Sequence, residues 1–480
     1  MAGNKNLVDP VTLKGFQDFL PEDLIPRKRL IQKIEQVFEQ FGFAPLDTPA
    51  LEYLDVLLGT GGENTNKELF RLESPEGEAI ALRFDLTVPF ARLLAQYPDR
   101  LKPPFRRYAI GPVWRADKPG IGRFRQFVQC DIDVAGAATV AVDAEVIAVM
   151  CAVMTALGVP EFTVLVNNRK LIDALLGSCG ITELARQKHV LRVVDKLAKV
   201  GLDNVRRELG PGRIDESGDP IPGVQLTGET IDKILGFVAL SAPTRRTMID
   251  QCAANLPDSP QTQEALAEMR ELADALDALG VLEQQACFDP SLARGLDYYT
   301  GPVFEMILPN AREFGSVMGG GRYDGLVERF ANRPTPCTGM SVGLDRLLAA
   351  LNYLGLAVSE KTPVQALVVT IGNVPKAETL RLASELRAAG IRTECFFASK
   401  KKMQMGNQLA HADHYGIPVA VIVGEDELAQ GVVSVKDLRA GKEQRANIED
   451  REAYREAGKT GQVTVPRSSM TATVKELLDM

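Results

Sequence analysis

Val113–Gly136 reads VWRADKPGIGRFRQFVQCDIDVAG, and its second half decides the fold. From Arg123 to Val134 the side chains separate by parity. Phe124, Gln126, Val128, Cys130, Ile132 and Val134 form an apolar or neutral set; Arg123, Arg125, Phe127, Gln129, Asp131 and Asp133 form the opposite one. Successive strand side chains point to opposite faces, so the alternation predicts a strand buried on one side only. One-sided burial favours antiparallel over parallel pairing. The same period recurs in Ala81–Val88, ALRFDLTV, where Leu82, Phe84, Leu86 and Val88 oppose Arg83, Asp85 and Thr87. Both polar sets hold Arg, Asp, Gln and Thr in place of the Lys and Glu of an ordinary solvated face. Incidental surface ion pairs would explain one such strand; two point to a ligand-binding floor for phosphate, amine and carboxylate groups.

Upstream, Leu30, Ile31, Ile34, Val37, Phe38 and Phe41 recur at helical spacing and predict a helix over Asp23–Phe41, stopped by Gly42. A second helix is predicted over Glu145–Leu157, closed by Gly158. Residues from about 170 to 280 are more polar and mostly helical in pattern, as in Glu183–Gly201, and predict an inserted helical domain. Strand character returns at Leu296–Met306, followed by the glycine-rich Gly315–Leu326 and by Gly339–Leu351. After Pro363, strand and helix patterns alternate, which predicts a separate α/β unit on a parallel or mixed sheet.

A chain of 480 residues exceeds what one core usually organises, and its 45% hydrophobic content is ample for several. The formal net charge of −8 argues against blanket coating of nucleic acid while leaving room for local basic patches. Seven scattered cysteines, odd in number and never in a C-x-x-C pair, form neither a zinc site nor a disulfide framework. They suit a reducing cytosol. No apolar run reaches the roughly 20 residues needed to span a bilayer, and the opening MAGNKNLVDP lacks a signal pattern. A soluble cytoplasmic protein is expected.

Two phosphate motifs fail. The Gly458–Thr460 GKT has Ala453 where a Walker loop needs glycine, and Gly319–Asp324 misses the last glycine of a dinucleotide fingerprint. Those glycines fit a strand passing close to a ligand or another strand. A bound nucleotide would therefore need Arg115, Arg123, Arg294 and Arg346 for its phosphates, since guanidinium is always charged and forks onto two oxygens. The three histidines, His189, His411 and His414, lie outside the strand-rich segments, which excludes Ser–His, Cys–His or histidine–metal chemistry there. Asp85, Asp133, Tyr298 and Tyr299 remain as polar recognition groups, although an aromatic pair packing a strand explains the two tyrosines equally well.

Taken together, the segments resemble the class II aminoacyl-tRNA synthetases, and among them the histidine enzymes. Phe41–Glu52, with Pro49, is similar to motif 1 of that class, Val113–Gly136 to motif 2 and Gly339–Leu348 to motif 3. Ala293–Glu305, ARGLDYYTGPVFE, and Gly319–Leu326, GGGRYDGL, resemble the two signatures peculiar to histidine enzymes. The motif 2 loop looks more like the eukaryotic-type version, and Ala116 stands where many relatives have Arg or His.

The resemblance implies an α+β fold: an antiparallel class II sheet with flanking helices, a helical insertion and a C-terminal α/β anticodon-binding domain. The layout would be 1–165 and 286–356 for the two parts of the catalytic domain, 166–285 for the insertion and 363–480 for the last domain. It implies ATP, accompanied by Mg2+, with no tightly bound protein metal, and as partners L-histidine, tRNA(His) and a second copy of the chain in a homodimer, with no membrane. By the same matching, Arg115 contacts the α-phosphate, Arg346 the γ-phosphate and Arg294 the α-phosphate where relatives use a metal ion, with Arg123 also on ATP. Asp85, Leu86, Thr87 and Gln129 would hold the amino group and nearby atoms; Asp133 and Tyr299, with Tyr298 alongside, would read the imidazole. Lys400, Lys401 and Lys402 form the clearest basic cluster for tRNA, where a solvated lysine loop is the bland alternative. A non-catalytic synthetase-like regulator, or a class II enzyme for proline or threonine, would be the competing readings.

Overall fold

Gly42 and Gly158 adopt φ values of +78° and +74°, a left-handed backbone that glycine enters without steric cost. They stop the helices Pro21–Gln40 and Ala141–Ala156 near the expected limits. The computed structural model describes residues 8–59, 66–214, 218–293, 298–357, 360–399, 403–440 and 461–480. The chain divides into two units, one of Met1–Asp18 with Arg29–Ala357, the other of Phe19–Lys28 with Val358–Met480.

In the first unit the strands are β1 (Ala44–Pro45), β2 (Leu51–Tyr53), β3 (Arg71–Glu73), β4 (Ala79–Leu82), β5 (Phe105–Trp114), β6 (Gln126–Ala135), β7 (Thr163–Asn168), β8 (Gly212–Ile214), β9 (Pro220–Pro222), β10 (Ala286–Phe288), β11 (Pro302–Ile307), β12 (Met318–Arg322) and β13 (Cys337–Gly343). Eight of them form one sheet in the order β1-β5-β6-β13-β12-β11-β7-β10. Its inner pairings are antiparallel, as the alternation predicted. The outer pairs, β1 with β5 and β7 with β10, are parallel, so the sheet is mixed.

Cys130, Ile132 and Val134 of β6 point into one apolar cluster beneath the sheet, together with Leu30, Ile34, Val37 and Phe38. The helix Ala141–Ala156 runs through this cluster and is apolar almost all round, with Val146, Ile147, Val149, Met150 and Val153 each fully buried. It packs against β13 above and against the helix Pro260–Ala278, which is why no polar face is needed. The helices between Arg169 and Ala278 join the same cluster through residues such as Leu175, Leu235 and Leu272. Asp143 ties the helix to the sheet: it accepts from Arg322 of β12, and from the Thr338 hydroxyl of β13 at 2.7 Å.

Two sequence expectations need correction. The alternation in Ala81–Val88 ends as a strand at Leu82, and Thr87 opens the helix Thr87–Gln96. The Val88 N–H donates to Asp85 Oδ1 at 3.0 Å, a local bond that competes with strand pairing and starts the helix. Nor is β6 buried on one side only, because Asp131 and Asp133 are 1% and 2% exposed. A second apolar cluster, including Leu57, Phe84, Phe90, Tyr323 and Leu326, rises on that side of the sheet.

The second unit carries β14 (Ala366–Thr370), β15 (Thr393–Cys395), β16 (Val419–Val423), β17 (Val432–Asp437) and β18 (Gln462–Pro466) in the order β15-β14-β16-β17-β18. The first three are parallel and the last two antiparallel, one of the two alternatives read from the sequence. Val368 and Val421 face one apolar cluster while Leu367 and Ala420 face another, so this sheet is covered on both sides. Among the described residues no helix is long and apolar enough to cross a membrane.

Ile147→Ala should lower unfolding stability by about 2–5 kcal/mol, read as a lower denaturant midpoint at unchanged slope. Solvent-exposed Leu184, 60% accessible, should tolerate the same change with less than about 1 kcal/mol.

Candidate active site

Antiparallel register places Arg107, Asp133 and Gly339 side by side across β5, β6 and β13. Arg107 is fully buried; its Nη2 lies 2.5 Å from Asp133 Oδ2 and donates to the Leu86 carbonyl at 3.0 Å. The guanidinium also lies 4.7 Å from the centre of the Phe90 ring. From β12's end, the Tyr323 hydroxyl donates to Asp133 Oδ1. A Cβ on Gly339 would stand 2.1 Å from that same oxygen, so glycine is what lets the carboxylate lie flat on the floor.

Above this floor opens a cleft of about 430 Å³, a volume typical of small-molecule sites. Asp85, Thr87, Arg115, Arg123, Gln129, Asp133, Tyr298, Tyr299 and Arg346 all line it, so these sequence-predicted residues converge. The Leu86 side chain is 2% exposed and packs with Ala109 and Val113; what it offers the site is its carbonyl, taken by Arg107. Arg294, Lys400, Lys401 and Lys402 lie outside the described residues.

One wall carries cations. Arg115 Nε donates to the Phe84 carbonyl at 3.0 Å and its guanidinium lies 5.3 Å from the Phe127 ring centre. Arg346 Nη1 donates to the Ser316 carbonyl at 2.6 Å. Gly122, at φ +63°, brings the loop against Arg346, where a Cβ would meet its Cα at 3.3 Å.

The floor carries acceptors. Asp85 spends Oδ1 on the Val88 N–H, and Gln129 Nε2 donates to Ser341 Oγ at 2.7 Å. Asp85 Oδ2, Gln129 Oε1 and both oxygens of Asp131 are buried without a hydrogen-bond partner among the described residues. Burial pushes the Asp131 carboxyl up to about 7 and Asp133 to about 6, with Arg107 opposing both shifts, and it raises Asp85 in the same direction. It also lifts the phenols of Tyr298 and Tyr299, which stay neutral donors. Buried acceptors in such excess are costly unless a donor meets them. The floor therefore suits a cationic, hydrogen-bond-donating ligand beside an anionic one on the arginine wall.

Arg107, Tyr323 and Asp131 were not singled out by sequence. Cross-strand register creates the first two contacts, and no local pattern reports it. For Asp131 a signal existed, since it shares parity with Gln129 and Asp133.

A strand-built floor of acids beside a wall of arginines, on an antiparallel-centred sheet, agrees with the class II aminoacyl-tRNA synthetase fold expected from the sequence motifs. The sequence matches the Histidyl-tRNA synthetase family over residues 15–347 and the Anticodon binding domain family over 365–457. A histidine–tRNA ligase of Caulobacter vibrioides is 41% identical over 97% of this chain and 96% of its own length. One from Paracoccus denitrificans is 42% identical over 97% of each chain. The crystal structure of histidyl-tRNA synthetase from Nostoc sp. PCC 7120 superposes with a TM-score of 0.80 at 31% identity, covering 98% of this chain and all of that one. The chain belongs to the histidyl-tRNA synthetase family.

Gly339→Ala should cost about 1–3 kcal/mol by overpacking the floor, seen as a lower melting temperature. Gly325→Ala, where nothing lies within 4 Å of the new Cβ, serves as the near-neutral control.

Proposed function

We propose that this chain is a histidine–tRNA ligase that activates L-histidine with ATP and transfers the histidyl group to the 3′ end of tRNA(His). The observation that carries the reading is the convergence of Arg115 and Arg346 with Asp85, Gln129, Asp133 and Tyr299 on one cleft. The ligase names of the relatives support it.

In the first step the histidine carboxylate attacks the α-phosphorus of ATP in line, forming the histidyl-adenylate and releasing pyrophosphate. An α-carboxyl group of pKa about 3.5 is ionised at neutral pH, so no general base is required. Catalysis then reduces to alignment and to stabilising charge on the phosphoryl oxygens. Arg115 and Arg294 act at the α-phosphate, Arg346 at the γ-phosphate, and Arg123 assists in holding ATP, which enters as its magnesium complex. In the second step the ribose of the terminal adenosine takes the histidyl group.

Asp85, the Leu86–Thr87 backbone turn and Gln129 hold the amino group. Asp133, oriented by Arg107 and Tyr323, pairs with Tyr299 and Tyr298 to read the two ring nitrogens. A site built to hydrogen-bond a side chain rejects analogues lacking it by roughly 10⁴–10⁵, so no editing domain is needed. The C-terminal unit contacts tRNA, with Lys400, Lys401 and Lys402 contributing. The enzyme works in the cytoplasm as a homodimer, with motif 1 at the interface. The limits 1–165 and 286–356, 166–285, and 363–480 belong to the same reading.

Exchange of labelled pyrophosphate into ATP, compared across amino acids, tests the assignment: it should depend on histidine. Exchange with proline or threonine alone would reject the substrate, and none at all from folded protein would favour a regulator. Arg115→Ala and Arg346→Ala should each slow exchange by about 10²–10³ with unaltered circular dichroism. Arg294→Ala should slow adenylate formation far more than it weakens histidine binding; the reverse pattern would remove its role.

A further inference from the structure

We infer that Asp131 is a further substrate-binding residue, seating the α-ammonium group of the amino acid together with Asp85 and Gln129. The inference rests on reading the cleft as an amino-acid site. It adds a residue whose position, not its resemblance to anything, argues for the role.

Asp131 lies on β6 between Gln129 and Asp133, on the same face; these two neighbours line the cleft, and Asp131 sits buried between them just beneath its surface. It is 1% exposed and neither carboxylate oxygen has a hydrogen-bond partner. Its cross-strand neighbours are Ala109, which offers no polar side chain, and Ser341, whose hydroxyl accepts from Gln129 and lies close enough to aim its own O–H at the Asp131 carboxyl. The charged and titratable groups acting on it are Arg107 from β5, Asp133 from its own strand and Asp85 from the turn before Thr87. Tyr298 and Tyr299 feel it from across the cleft as neutral phenols. Arg107 pairs through Nη2 with Asp133, and its charge offsets the burial of Asp131 only in part, without a hydrogen bond to it.

The floor thus presents unsatisfied acceptors from three residues: Asp85 Oδ2, Gln129 Oε1 and the Asp131 carboxylate. A primary ammonium group carries three N–H donors and one positive charge. Its three donors match the three residues in number, and its charge would add to that of Arg107 beside Asp131. Because burial lifts the Asp131 carboxyl to about 7, the free site holds a proton there at lower pH. Ammonium binding displaces that proton to solvent. Affinity must then fall as pH drops below about 7, since protonated Asp131 offers neither the charge nor both acceptors.

The test compares L-histidine with 3-(imidazol-4-yl)propionate, which keeps the ring and carboxylate but lacks the amine. Calorimetry measures binding to full-length wild type and to Asp131→Asn. The substitution should weaken histidine about 10- to 100-fold and change propionate less than about threefold, with the KM for ATP unchanged. Between pH 8 and 6 the wild-type affinity for histidine should fall more steeply than that for propionate, ring ionisation being common to both. The free variant should melt no lower than wild type at pH 8, because a buried charge that Arg107 offsets only in part has gone. Asp131→Ser should show the same selectivity, which separates the effect from a folding defect. Equal weakening of both ligands, or of neither, would overturn the inference. If another amino acid proves to be the one activated, the histidine reading fails by itself; that amino acid and its des-amino analogue then score Asp131 in the same way.

Discussion

Two opposite charges withdrawn from water, Arg107 and Asp133, sit at paired positions of β5 and β6, and the site is organised around them. Desolvating such a pair costs several kcal/mol per ion, recovered only when geometry and additional hydrogen bonds are both favourable. Here the Tyr323 hydroxyl and the Leu86 carbonyl supply those bonds. Each helper comes from a different part of the chain, one after β12 and one from the turn that starts the helix Thr87–Gln96. The pair therefore fixes strand register, the position of that turn and the aromatic side of the cleft at once. Losing one partner would leave a buried charge and loosen all three.

Charge in the cleft is spread unevenly over the elements that line it. Asp133 of β6 and Asp85 sit in the floor, while Arg115, Arg123 and Arg346 approach from β5's end, from the motif 2 loop and from the helix Leu344–Tyr353, where Asp117 and Asp345 also line the cleft. Arg115 and Arg346 each donate to a backbone carbonyl, which aims their guanidinium groups along the wall of the cleft. On the proposed function, a zwitterionic amino acid laid against the floor would turn its ammonium toward Asp85 and Gln129 and its carboxylate toward the arginines, the orientation that in-line attack on a phosphate needs.

The parity of Arg123–Val134 was enough to place β6, its antiparallel neighbours and the face that carries Gln129 and Asp133. Side-chain period is a local property, so it is readable without coordinates. The same period misled in Ala81–Val88, because a single Asp85-to-Val88 hydrogen bond outweighed it. Burial on both sides of β6 was also illegible, for the covering residues Leu57, Phe84 and Tyr323 come from distant segments. Arg107 was missed for that reason too: its sequence neighbourhood is ordinary, and only register brings it to Asp133. Family resemblance named the arginines and the recognition groups, yet it was silent on Asp131.

The floor glycines confine where selectivity can drift. A Cβ at Gly320 would strike the Gly339 carbonyl at 2.1 Å, and one at Gly321 the Pro302 carbonyl at 2.7 Å. Strand backbones and the Asp133 carboxylate already fill that space, so the depth of the cleft cannot be reshaped by trimming or enlarging side chains from beneath. Any retailoring toward a bulkier or slimmer guest has to come through the sides, at Thr87 or at Tyr298 and Tyr299, which stand outside the strands of the large sheet. Evolution and the protein engineer thus meet the same fixed base and the same few movable walls.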